Sequence, residues 1–325
     1  MKKYIILLFA ALTCCNAYTQ SDTSSQQSVD SVLQSDYDRA YFNYETKYYK
    51  EALRIIEPYY LKGDASAEVY QLVGNIYDEM GNQSRAFSVY NEGLMKYPDA
   101  GCLFLELGNL KYKTGDYPQA LYRYEKGIEH DPMFASNYYR AAKVFFLSTE
   151  TVWGVMYGEL FMLLEQNSDR CREMSADLFE AYFNSFSLNK GKTVADFNND
   201  IIVYSDSFER PNKFPEVFNT NMTKAAFGKK FIDIAALISI RNTFMGLIYQ
   251  KNPDFDNPLF AYWKKITKAG HWQAYNYWLF AYGNNNESAT WINQNKDKWN
   301  SFLTWMKKNP ISLNKSEYFS RYLME

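Results

Sequence analysis

Histidine is almost missing from this chain: 325 residues contain two, His130 and His271. Neither has a second histidine or a cysteine at metal-ligand spacing, so zinc sites and Ser/His/Asp or Cys/His catalysis lack their parts. Cysteine is scarce too, with four in all. Cys14 and Cys15 fall in the amino-terminal segment. Cys102 and Cys171 give no spacing evidence, which leaves one disulfide and two free thiols both open. An excess of either charge is also wanting: 35 basic against 37 acidic residues exclude the basic surplus that a phosphate backbone requires, so nucleic acid is not an expected partner. Glycine-rich phosphate loops and a nucleophile elbow are absent. The longest apolar candidate, 231 to 249, is interrupted by Asp233 and Arg241 and is expected as a core helix rather than a membrane span. Strand alternation is confined to a short β-branched run at 200–204.

Apolar side chains are plentiful. With 47% hydrophobic and 18% aromatic residues, the chain has material for a continuous core in one large or two ordinary domains. The start follows a targeting pattern: Lys2-Lys3, an apolar run from Tyr4 to Leu12, then small residues to Asn16-Ala17. This predicts a secretory signal peptide over 1–17, hence export to periplasm, outer-membrane surface or medium. Leu12-Thr13-Cys14-Cys15 matches lipoprotein processing only loosely, so lipidation is the less favoured expectation. Residues 18–32, rich in Ser and Gln, are expected as a flexible linker.

The most informative feature is a period of 34 residues. Tyr70, Gly74, Gly81, Ala86, Tyr90, Gly93 and Pro98 recur, each 34 positions on, as Phe104, Gly108, Gly115, Ala120, Tyr124, Gly127 and Pro132. The pattern resembles the tetratricopeptide repeat (TPR) family, with Tyr70-x-x-Val73-Gly74-x-x-Tyr77, Ala86-x-x-x-Tyr90 and Pro98 as one unit. In physical terms, Gly74 and Gly108 allow paired helices to approach, Gly81 and Gly115 relieve the turn, and Pro98 and Pro132 stop the second helix. A weaker unit precedes, through Ala40, Tyr49, Ala52, Ile56 and Tyr59, and a degenerate one follows through Tyr138, Ala142 and Phe145. The expected fold is all-α: a TPR solenoid over 33–166, then a C-terminal helical region over 167–325. Helices are predicted there at 169–187, 213–226, 229–251, 256–268, 271–282, 288–308 and 314–324. Six of the seven tryptophans lie between Trp263 and Trp305, where core packing is their expected role.

Inward-facing positions of the first helices line a groove in the family. By resemblance they fall on Tyr37, Tyr41, Tyr44 and Glu45; Glu68, Gln71, Asn75, Asp78 and Glu79; Leu105, Asn109, Tyr112 and Lys113; and Tyr139, Lys143 and Phe146. Amides can bond a peptide backbone while tyrosines pack on its side chains. The family's carboxylate clamp fits poorly, because Gln71 and Glu106 stand where basic or further polar contacts belong. Asp196-Phe-Asn198-Asn-Asp200 imitates a calcium loop but has Ile201 in place of the turn glycine and Ser207 in place of the bidentate glutamate. A carboxylate-only glycosidase leaves no sequence mark and is set aside because solenoids chiefly present binding surfaces. The expectation is an exported, non-enzymatic scaffold for a protein or peptide, with no cofactor, no metal and no catalytic residue. The alternative is a cell-surface glycan-binding accessory protein that uses its aromatics.

Overall fold

The computed structural model describes residues 24–63, 65–189, 192–198 and 213–324. The expected signal peptide, Cys14, Cys15 and the run 200–204 lie outside them. The chain divides into two compact units, Met1–Asp64 and Ala65–Glu325.

In the first unit, α1 (Ser24–Glu45) and α2 (Tyr49–Lys62) pair antiparallel. Ala40, Ala52, Ile55, Ile56 and Tyr60 are buried, and the Tyr59 hydroxyl donates to Asp36 at 2.6 Å across the pair. Gly63 ends α2 in the left-handed region, φ 77°, with its N–H on the Tyr60 carbonyl, a conformation that only glycine adopts without strain.

In the second unit, α3 (Ala67–Glu79), α5 (Gly101–Lys113), α7 (Ala135–Phe146) and α9 (Asp169–Asn184) each start 34 residues after the last. The second helices α4 (Gln83–Lys96), α6 (Tyr117–His130) and α8 (Thr151–Leu164) keep the same step. The repeat signature accounts for the geometry. A Cβ on Gly74 would stand 2.1 Å from the Tyr90 ring, and one on Gly108 2.3 Å from the Tyr124 ring, so glycine is what admits the aromatic of the second helix. Gly81 and Gly115 have φ +80° and +77°. Asn82 and Asp116 cap the second helices by accepting from Arg85 N and Gln119 N, the Asx N-cap bond that satisfies an orphan donor. Both helices stop two residues before their proline.

The 34-residue step runs on to α9, a first helix in which Ala176 keeps the small position of Gly108. Beyond it a hairpin, β1 (Phe186–Asn189) with β2 (Lys192–Ala195), pairs Phe186 with Ala195. Then come α10 (Lys213–Ala225), α11 (Ile234–Lys251), α12 (Pro258–Lys268), α13 (Trp272–Leu279), α14 (Asn285–Gln294) and α15 (Lys296–Lys308). The hairpin was not expected: four-residue strands are too short to show a period of two. The helix predicted over 288–308 is two helices meeting at Asn295, whose side chain turns back to the Trp291 carbonyl at 3.0 Å. Residues 314–324 are not a helix either. They form a narrow bridge, Asn314 to Glu317, and a 3₁₀ turn, Arg321–Met324, because packing against the rest of the unit overrides local propensity.

The second unit has one core that runs from Leu105 through the repeats to Met324. Trp263, Trp272 and Trp291 are buried in it, and Trp278, Trp299 and Trp305 pack on it partly buried. At its centre Arg241 on α11 is wholly buried, held by the Glu159 carboxylate of α8 at 2.7 Å and by Asn276. Trp263 Nε1 and the Tyr275 hydroxyl donate to the same carboxylate, each at 2.6 Å. The two charges that interrupt the apolar run at 231–249 thus have structural roles: Arg241 is paired, and Asp233 caps α11 through Ala236 N. No helix of the described residues is long and apolar enough to cross a membrane.

Candidate functional site

Within the second unit, the backbones of successive first helices approach one another, α3 to α5, α5 to α7 and α7 to α9, more closely than those of successive second helices. The stack therefore closes toward its first helices. The 34-residue register puts corresponding side chains side by side along that inner line.

Side chains of neighbouring helices bond to one another at two of the three steps of the line, α3 to α5 and α7 to α9. Gln71 on α3 donates to Glu106 on α5 at 2.8 Å, and the second oxygen of Glu106 accepts from Asn109 at 2.8 Å. Lys113 reaches back from α5 to Asp78 at 2.5 Å and Glu79 at 3.3 Å. From α7, the Tyr139 hydroxyl donates to Glu173 at 2.7 Å, and Lys143 binds Glu173 at 2.7 Å and Asp177 at 2.8 Å, both on α9. Arg170 on α9 returns a bond to Ser136 at 3.1 Å.

The amides Asn75 and Asn109 do stand one repeat apart, but their oxygens are already used. Each accepts from the tyrosine of its own second helix, Tyr90 at 2.6 Å and Tyr124 at 3.0 Å. Leu105 and Tyr139 are buried, 9% and 8% exposed, and so contribute packing more than contact area. Tyr139 lies against Phe161 at 5.0 Å with the Arg170 guanidinium over its ring. Burial first, and then the bond to Glu173, push its hydroxyl up to about 12. Tyr112 is half-buried and meets Tyr117 edge-on at 5.4 Å. Asp78 is half-buried, while Glu79 and Lys113 are exposed. Burial opposes the charge on Lys143, but its bonds to Asp177 and Glu173 raise its pKa; Glu173 is correspondingly lowered, first by Lys143 and then by Tyr139. In the first unit Tyr37, Tyr41 and Tyr44 form a ring ladder along α1, with centroids 6.3 Å apart at both steps.

Sequence reasoning passed over Arg140, Glu173 and Asp177, and weighed Glu106 only against the carboxylate clamp. Glu173 and Asp177 follow from Tyr139 and Lys143 by one more step of the repeat, a step concealed because Arg172 replaces the aromatic at Tyr138. Arg140 stands one repeat after Glu106 and makes no hydrogen bond or ion pair among the described residues. The arrangement offers amide, guanidinium and tyrosine groups on a rigid helical base, which suits recognition.

Residues 108–148, covering the second half of α5, all of α6 and α7, match the family model of the TPR repeat. This stretch is a tetratricopeptide repeat segment. Among solved structures, the C-terminal part of a TPR repeat-containing protein from Cytophaga hutchinsonii is similar at 12% identity, over 84% of this chain and 94% of that one, with a TM-score of 0.36. No curated protein matches. In a TPR array paired helices are stacked so that each covers the apolar face of its neighbour, as the pairs α3 to α8 do here. The TPR fold suggests a scaffold for protein–protein interaction, and repeat proteins of this type are typically not enzymes.

The histidines have packing roles. His130 stacks on Phe104 with centroids 4.9 Å apart and sits 3.2 Å from Asp99. His271 lies between Phe302 and Trp305, and burial lowers its pKa. Asp196 accepts from the Asn198 amide at 3.2 Å, a local turn; Asp200, Ile201 and Ser207 lie outside the described residues. Both Cys102 and Cys171 are free thiols.

Proposed function

We propose that this TPR protein is an exported, non-enzymatic scaffold that holds an extended protein segment along the inner line of α3, α5, α7 and α9. The observation that carries the reading is the ladder of inter-repeat bonds. It holds Gln71, Asn109, Lys113 and Lys143 in place before any partner arrives, which lowers the ordering cost of binding. Between the ladder's steps, Tyr112 offers a ring and Arg140 a guanidinium. Export is supported by the basic, apolar and small segments that open the sequence.

Affinity capture from an envelope extract tests this, with the wild type compared against combined Tyr112→Ala and Arg140→Ala. Losing an aromatic anchor and a charge-assisted contact is expected to weaken the main partner by about 2 kcal/mol or more. An unchanged partner list defeats the assignment of the inner line.

A glycan-binding reading stands second. It rests on a shallow cavity of about 420 Å³ lined by His271, Gln273, Asp297, Lys298 and Ser301 over Ala274 and Trp291. Trp291 is stacked face to face on Tyr277 at 4.5 Å, so the cavity offers polar groups and no open aromatic platform. Saturable binding on a glycan array would favour this reading, and silence the first.

A further inference from the structure

The last sixteen described residues, 309–324, hold no α-helix, yet they are among the best anchored in the second unit. Ile311, Leu313, Phe319 and Met324 are buried, with Phe319 1% exposed. Their partners lie far back in the repeat array. Phe319 meets the Tyr157 ring edge-on at 5.2 Å and Trp153 at 6.4 Å, both on α8. Arg321 binds the Glu125 carboxylate of α6 at 2.8 Å and 3.2 Å, and its own backbone N–H donates to the Tyr157 hydroxyl at 3.1 Å. The Tyr157 hydroxyl in turn donates to Glu125 at 2.8 Å. Lys315 pairs with Asp99 at 2.5 Å, and the Leu313 amide points at the Met133 sulfur at 3.2 Å.

Two features set this apart from ordinary core packing. The segment has no α-helix, only the turn at Asn314–Glu317 and the closing 3₁₀ turn, and it is attached mainly by side chains. Its receptor also carries a charge that the segment answers: with the segment in place Glu125 is 3% exposed, and a carboxylate so far from water requires a cation or several donors. Tyr157 alone supplies one donor. The backbones of α6 and α8 do not come close, and the Arg321 guanidinium lies beside the Tyr157–Glu125 bond that joins their side chains.

We propose that the α6–α8 face is a second peptide-binding site, distinct from the inner line of first helices, and that its resident ligand is the chain's own 309–324 segment. The occupant it selects is a peptide that carries an aromatic residue two positions before an arginine, here Phe319-Ser320-Arg321. The aromatic fills the space beside Tyr157 and Trp153, and the arginine neutralises Glu125.

The test uses the full chain with Phe319→Ala and Arg321→Ala, which loosen the resident segment. Amides of 311–324 are expected to lose hydrogen-exchange protection while those of α3 to α9 keep theirs. A fluorescent peptide of sequence 309–324 should then bind the variant saturably, and wild type at least about tenfold more weakly, because its site is filled. Adding Glu125→Gln to the variant should weaken the peptide about tenfold or more, the loss of a charge-assisted pair. The proposal is overturned if the loosened variant does not bind the peptide, if Glu125→Gln leaves binding unchanged, or if α3 to α9 lose protection together with the segment, which would make 309–324 part of the fold's core and not a ligand of it.

Discussion

At the scale of single residues, two glycines in helices have opposite roles, and one substitution at each separates them. Gly108 lies where a Cβ would meet the Tyr124 ring at 2.3 Å, whereas nothing lies within 4 Å of a Cβ on Gly246. Gly108→Ala therefore forces Tyr124 to move and weakens its bond to Asn109, an overpacking cost of about 1–3 kcal/mol. Gly246→Ala, inside α11, is expected to stabilise by about 0.5–1 kcal/mol through the lower backbone entropy of alanine. Thermal or urea denaturation of the two variants decides it, and equal effects would contradict the geometry. Gly108 was legible as a close-approach residue because it recurs with Tyr124 at a fixed spacing. Gly246 carries no such partner in the sequence, and its freedom from contact is visible only in the fold.

At the scale of elements, the bond between α7 and α9 is sensitive to acid. Glu173 is lowered from its ordinary 4.5, first by Lys143 and then by Tyr139. A carboxylate lowered in the folded state contributes stability above its ordinary value, and that contribution disappears as the pH falls through the folded value. Lys143 is raised, so its contribution is complete below its ordinary 10.5 and is lost only in strong alkali. Acidification from neutral to about pH 3 should therefore loosen α9 through Glu173. Glu173→Gln should remove part of the acid dependence of the urea midpoint, by less than about 1 kcal/mol since its side chain is 48% exposed and solvent screens the pair. An acid dependence unchanged by that substitution would argue against the bridge. The same pair shows how far the repeat could be read. Its first helix α9 keeps the register but replaces the aromatic by Arg172, so a reading based on aromatics stops one helix early.

At the scale of the whole second unit, one buried ion pair joins the repeat array to the C-terminal helices. Glu159 sits on α8, while Arg241, Trp263 and Tyr275, which converge on it, lie 82, 104 and 116 residues further along the chain. Removing one partner leaves an uncompensated buried charge, so Arg241→Met is expected to destabilise by about 3–5 kcal/mol. The double change Glu159→Leu with Arg241→Met should recover a good part of that loss, because apolar replacement of both partners removes the desolvation penalty. Calorimetry on the three proteins tests it, and a double variant no more stable than the single one would refute the pairing as the source of the loss.

The sequence by itself determined the all-helical class, the 34-residue helix pairs with their glycine turns and proline stops, and the packing of the tryptophans in or on the core. These are local or periodic properties: helix length, turn chemistry and apolar spacing are written at short range and repeat. Only the tertiary structure decided which inner-line residues are tied to their neighbours, that Asn75 and Asn109 spend their oxygens on Tyr90 and Tyr124, that Arg241 finds Glu159, and that 309–324 packs against α6 and α8 without forming an α-helix. Those outcomes depend on groups far apart in the chain, whose charges and shapes become neighbours only once the solenoid has stacked, and no spacing rule encodes them.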